Sequence, residues 1–236
     1  MDKLDFGFLP FVWNVAGLTI TPYILVFPVC LLLYLFLVWI SLSKDHAQEE
    51  VVSLSLGTVV VFFIGGRLVH MLLNLNSIGF GIESWFSVKS VGEINFLAGL
   101  ALTFVYISVV CHNYRLSTWY FLEKFVFPVS VVAFIIDLAL FLSTAQTVYL
   151  GRTLIFLVIL ISGKLLSRYR SFVWYGSGRA GFLFFAIVAE YFFLAIVLSF
   201  FLPGFSYWQL VTNVLILLVS LIGVYLLSGK KLRKTS

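Results

Sequence analysis

The stretch VVVFFIGGRLVHMLLNLN, residues 59–76, decides the reading of the chain. It is a long apolar run with a charge set inside it. Gly65 and Gly66 precede Arg67, and on a helix His70 and Asn74 follow Arg67 at i+3 and i+7, which puts all three on one face. A charged side chain at membrane depth costs on the order of 3 kcal/mol or more, so it turns toward protein, water or a partner. Arg67 is therefore expected to face a polar interior, and the other polar groups that reach that interior become the question.

The composition supports membrane depth. Of 236 residues, 62% are hydrophobic and only 11% charged, with a mean hydropathy of +1.11. Soluble domains carry roughly 25% charged residues, so this is the sequence of a polytopic membrane protein. Aromatics make up 18%, including 26 Phe, which suits lipid contact and interfacial anchoring. The net charge of +5 is no nucleic-acid signal, because the basic residues cluster in short loops and in the tail. Cys30 and Cys111 fall in different apolar runs, without metal-ligand spacing, and read as packing residues. The start MDKLDF has two acids and lacks a basic leader before an apolar core, so no cleavable signal is expected.

Seven apolar runs approach the roughly 20 residues that a spanning helix needs: about 20–42, 52–74, 94–112, 125–145, 148–166, 181–202 and 207–228. The expected fold is an all-α integral membrane protein of seven transmembrane helices in one domain, 1–236. Residues 1–19, broken by Pro10 and Gly17, read as an interfacial segment, and residues 229–236 as a basic cytoplasmic tail. Eleven of the fifteen Lys and Arg residues, from Lys44 to Lys234, fall on one side of this threading. The positive-inside rule then places the N-terminus outside and the C-terminus in the cytoplasm. The longest outer connection, SIGFGIESWFSVKSVGE at 77–93, reads either as an aromatic-anchored loop or as a cap on a cavity.

With that threading the intramembrane polar residues gather at one depth. Arg67, His70 and Asn74 lie in the outer half of the second run, and Glu93 and Asn95 at the outer mouth of the third. Asp137 is in the outer half of the fourth, Arg152 at the outer start of the fifth, and Glu190 near the middle of the sixth. A polar cavity open to the outer leaflet is the reading. Each residue also has a plainer role. Arg67 could pair with Asp137 or Glu190, His70 could be a satisfied interior residue, and Glu93 could flank a helix start. Asn95 could be an interhelical hydrogen bonder. There is no HExxH, no His/Cys cluster, no GxSxG elbow and no phosphate-binding glycine loop, so no metal or other cofactor is expected.

In order along the chain these segments resemble the bacterial prolipoprotein diacylglyceryl transferases. FIGGRLVHMLLN resembles their second-helix glycine–glycine–arginine motif, and INFLAGLALTFV (94–105) the opening of their third helix. EKFVFPVSVVAFIID (123–137) is similar to the approach into their fourth, and GFLFFAIVAEYFF (181–193) to their sixth-helix pattern ending in Glu-Phe-Phe. The resemblance carries over Gly66, Arg67 and Glu190. It departs elsewhere: the family's His falls on Leu97, one of its glycines on Ala98, and its sixth-helix Arg on Ala186. DLALFLSTAQ (137–146) lacks the Arg and both Asn of the fourth-span signature.

The resemblance implies a plasma-membrane enzyme of the bacterial inner membrane. It would transfer diacylglyceryl from phosphatidylglycerol to the cysteine thiol of a lipoprotein precursor, expelling glycerol-1-phosphate. The substrates and partners would then be phospholipid and lipoprotein precursors. His70 or Glu93 would take the thiol proton. Gly66, Arg67, Asn74, Asn95, Asp137, Arg152 and Glu190 would form the lipid site, with the arginines meeting phosphate charge. The departures equally suit a non-catalytic paralogue that binds phospholipid or a protein partner, and a small transporter stands third.

Overall fold

The structure is a computed structural model, and it describes residues 11, 13–15, 18–45, 48–74, 95–168, 179–201 and 207–228. Among these residues, seven helices lie where the sequence carries its apolar runs: α1 (Pro22–Leu42), α2 (Gln48–Leu73), α3 (Phe96–Asn113), α4 (Thr118–Thr144), α5 (Thr147–Leu166), α6 (Phe182–Phe201) and α7 (Tyr207–Leu227). All but α3 are long and apolar enough to cross a membrane. At 1.5 Å per residue those six are about 30–40 Å long, against a hydrocarbon core of about 30 Å. The apolar part of α3, Leu97–Asn113, is shorter. The chain is thus a helical membrane protein. It divides into two compact units, one of Met1–Leu37 with Leu122–Ser236, the other of Val38–Phe121.

Helix boundaries differ from the apolar runs where charge begins. α2 starts at Gln48 rather than 52, because Glu49 and Glu50 occupy its first turn, where acids meet the positive end of the helix dipole. α4 starts at Thr118 rather than 125, and runs through Glu123 and Lys124. Hydropathy reads apolarity, whereas the backbone ladder continues through any good helix former.

In the Val38–Phe121 unit, α2 and α3 pack antiparallel through glycines. A Cβ at Gly99 would sit 2.8 Å from the Phe62 carbonyl oxygen, and one at Gly65 would sit 2.5 Å from Leu102 Cδ1. At Gly57 it would collide with the Tyr106 hydroxyl. Without a hydrophobic driving force between helices in lipid, such close approach supplies the van der Waals attraction. α3 ends in a Schellman turn. The Leu116 N–H donates to Cys111 O (2.7 Å) and the Arg115 N–H to His112 O (3.1 Å), with Arg115 in the left-handed region at φ 56°. The Tyr120 hydroxyl donates to Asp45 Oδ2, tying the turn after α1 to the start of α4.

In the other unit, α6 packs on both α5 and α7. Val126, Ile155, Phe156, Ile159, Ile187 and Ala195 form its core. Gly151 of α5 makes room for Leu198, and Gly223 of α7 for the Phe185 ring. Ahead of α6, Gly181 adopts φ 105° and its N–H donates to Glu123 Oε2 of α4 at 2.6 Å. A side chain there would strain the backbone, and the carboxylate satisfies an orphan donor at the helix start. The outer residues of α7, among them Leu215, Val219, Ile222 and Leu226, are more than half exposed, as lipid-facing side chains are.

The described part of the N-terminal segment holds a short antiparallel pairing, β1 (Trp13–Val15) with β2 (Leu18–Ile20), in which Trp13 faces Ile20 and Val15 faces Leu18. It is docked on the end of α4. The Phe11 N–H donates to Leu142 O (3.0 Å), and the Tyr23 N–H, in the first turn of α1, to Ser143 Oγ (3.1 Å). Phe11 and Trp13 are exposed and stack at 6.4 Å, an arrangement suited to headgroup level.

Candidate functional site

The polar residues form groupings inside each unit. In the Val38–Phe121 unit the centre is Gly66–Arg67. Arg67 is only 8% exposed and lies about 9 Å before the end of α2 along its axis. Asn95 caps α3: its Oδ1 accepts from the Ala98 N–H at 3.0 Å. Its own backbone N–H donates to Gly66 O, also at 3.0 Å. This bond sets Arg67 one residue from the point where the α3 N-terminus meets α2. The α3 start, a helix end that carries about half a unit of positive charge, thus meets α2 at the residue next to Arg67. Gly65 and Gly66 are both buried, and Gly65 is the position at which Leu102 comes close.

The remaining members of the α2 face sit toward its end. His70 is half-buried. Asn74 is exposed, and its Nδ2 donates to His70 O at 2.8 Å, a carbonyl that also accepts from the Asn74 backbone N–H at 3.1 Å. Glu93, the second candidate base, lies outside the described residues.

In the other unit, Asp137 and Arg152 are brought together. Asp137 is completely buried on α4, and Arg152 Nε of α5 lies 3.2 Å from its Oδ2. The contact is coulombic rather than a well-aligned hydrogen bond, since neither carboxylate oxygen receives one among the described residues. Tyr191 of α6 interacts with both members of the pair. Glu190 is half-buried and accepts from Ser162 Oγ of α5 at 2.6 Å. Serine also reaches Ile159 O (3.2 Å), so Ser162 bridges its own helix and α6.

Expected depth singles out Asp137, Arg152 and Glu190 but cannot select their partners, which depend on the angle about each helix axis. Arg152 is the partner of Asp137, and Ser162 that of Glu190. Neither pairing leaves a mark in the sequence beyond the rule that buried charges are paired. Tyr191 was missed because a tyrosine next to Phe192 and Phe193 reads as one more aromatic. The strand pairing did have a signal: only two residues, Ala16-Gly17, separate Val15 from Leu18, which is a hairpin spacing.

Among the described residues no cluster of three or more His, Cys, Asp or Glu is placed to hold a metal. The arrangement places a buried guanidinium-bearing residue next to a helix start in one unit and an Asp–Arg ion pair in the other. The first suits an anionic group such as phosphate; the second suits structural cross-linking of α4 to α5. No protein-family model matches the chain, and no curated protein matches it.

Proposed function

We propose that this chain is a phospholipid-handling protein of the bacterial plasma membrane, of the prolipoprotein diacylglyceryl transferase type, in which Arg67 takes the phosphate of phosphatidylglycerol. The observation that carries this reading is the burial of Arg67 beside the capped start of α3. The matching order of GGR, the Asn95 region and Glu190 along the chain supports it. So does a threading of seven spans with the N-terminus outside, which brings Arg67 to the outer half of the membrane. In the reaction the precursor's sulfur forms a bond to the glyceryl carbon as that carbon's bond to the phosphate oxygen breaks. The thiol proton goes to a base, for which His70, one turn beyond Arg67, is the candidate on α2. Glycerol-1-phosphate leaves with the negative charge that Arg67 offsets.

A second reading is a paralogue that binds phospholipid without turnover. It is favoured by the Asp137–Arg152 contact, which engages the other arginine expected to meet phosphate. Both readings require the Arg67 site and differ in chemistry. The test is phospholipid retained by the purified chain, measured by native mass spectrometry after mild delipidation. Phosphatidylglycerol should be retained by the natural chain and lost at least tenfold in Arg67→Gln. Equal retention by the two would remove Arg67 from the site. Release of glycerol phosphate when precursor peptide is added separates the enzyme from the binder.

A further inference from the structure

We propose that a cleft at the other end of the α2–α3 pair binds an organic ammonium group. The cleft has a volume of about 130 Å³ and is lined by Glu50, Leu54, Tyr106, Tyr114 and Phe121, among others. Its chemistry is the inverse of the Arg67 end. One carboxylate shares its lining with three aromatic side chains, and among the described residues neither Lys nor Arg lines it. Aromatic faces carry negative quadrupole charge and attract ammonium and alkylammonium ions within about 6 Å; ringed by such faces, a carboxylate completes a cation site. Phosphate would meet only repulsion there.

Helical spacing builds the cleft from both sides. On α2, Glu50, Leu54 and Gly57 follow at i, i+4 and i+7; on α3, Tyr106 and Val110 follow at i and i+4, and Tyr114 caps the helix four residues on. Gly57 lets the Tyr106 hydroxyl lie against α2, because a side chain at that position would collide with it. Phe121, almost fully buried, closes the inner wall. An acid in the first turn of α2 also answers the helix dipole. That accounts for Glu50 alone, not for a ring-lined cavity opening beside it.

Size and place narrow the ligand. A cavity of about 150 Å³ takes benzene, so this one has room for an ethanolammonium or trimethylammonium group and none for an acyl chain. Glu50 and Arg67 are 17 residues apart on one helix, about 26 Å, so the two sites lie at opposite ends of α2. An ammonium headgroup can be presented by an ethanolamine phospholipid of the leaflet at that end, or by a soluble amine.

The full chain in detergent supplies the test, and the probes are phosphatidylethanolamine, its N-acetyl derivative and free ethanolamine. Retention of phosphatidylethanolamine by native mass spectrometry, with no calorimetric binding of ethanolamine, would assign the lipid headgroup. Saturable ethanolamine binding without lipid retention would assign a soluble amine. In either case Glu50→Gln should weaken binding at least tenfold, Tyr114→Ala should weaken it as well, and retention of the N-acetyl lipid, which keeps its phosphate but has lost the ammonium charge, should not change in Glu50→Gln. Both positions are exposed, so both variants should fold. Binding unchanged in Glu50→Gln, a loss of the N-acetyl lipid in Glu50→Gln as large as that of phosphatidylethanolamine, or no binding of any probe would overturn the proposal.

Discussion

Replacing Arg152 by Met separates a structural ion pair from an anion clamp. Asp137 has no exposed surface, and its carboxylate lies 3.2 Å from Arg152 Nε. At an effective dielectric of about 20, two unit charges at that separation attract by about 5 kcal/mol. Removing one partner of a buried pair costs roughly 3–5 kcal/mol, because the other charge is left uncompensated. The Arg152 side chain is 32% exposed, so solvent screens part of the attraction and the lower end, about 3 kcal/mol, is expected. That is a factor of about 150 in the unfolding equilibrium. The assay is reversible unfolding in mixed micelles with increasing SDS, on the natural chain, Arg152→Met, Asp137→Leu and the double variant. Taking out both charges should restore stability to within about 1 kcal/mol of the natural chain, since apolar replacements of buried pairs are often neutral. A loss below about 1 kcal/mol in Arg152→Met, or a double variant no more stable than that single, would refute the reasoning. If Arg152 instead held a phosphate, its removal would abolish lipid retention and leave stability nearly unchanged.

Three more outcomes follow from the structure. Arg115→Gly should stabilise the chain by about 1 kcal/mol in the same unfolding assay, because the left-handed residue after α3 no longer carries a Cβ. Gly99→Leu should cost about 1–3 kcal/mol and lower lipid retention, since the added side chain must push the Phe62 backbone away and with it the α2–α3 contact beside Arg67; retention at the natural level would show that contact to be dispensable. Asn95→Ala should cost about 1 kcal/mol through loss of the cap on α3, measured against Ser at the same position, which should recover most of it.

How far the sequence went can be followed residue by residue. Apolar runs marked the six long apolar helices and the shorter α3 among the described residues, because in a membrane the requirement for continuous apolarity and internal hydrogen bonding leaves helices as the simple solution. Starts were misplaced where the helix begins ahead of charged residues that interrupt apolarity, Glu49 and Glu50 in α2 and Glu123 and Lys124 in α4. The importance of Gly65 and Gly66 was legible from their place before Arg67. That of Gly57 was not, because nothing local to Gly57 says that Tyr106, nearly 50 residues away, will lie against it. An expected depth follows from the threading, whereas the angle around each axis comes only from packing. This is why Asp137 and Arg152 could be placed at one level but not paired, and why Glu190 could not be assigned to Ser162.

The most direct test of the account is complementation. The chain would be expressed in bacteria depleted of their own diacylglyceryl transferase, and the masses of accumulating lipoprotein precursors followed, with membrane insertion checked for each variant. The account predicts growth and precursors heavier by one diacylglyceryl group, both lost in Arg67→Ala. Unmodified precursors beside a well-inserted natural chain would contradict the transfer reaction, and modification that persists in Arg67→Ala would contradict the role assigned to Arg67.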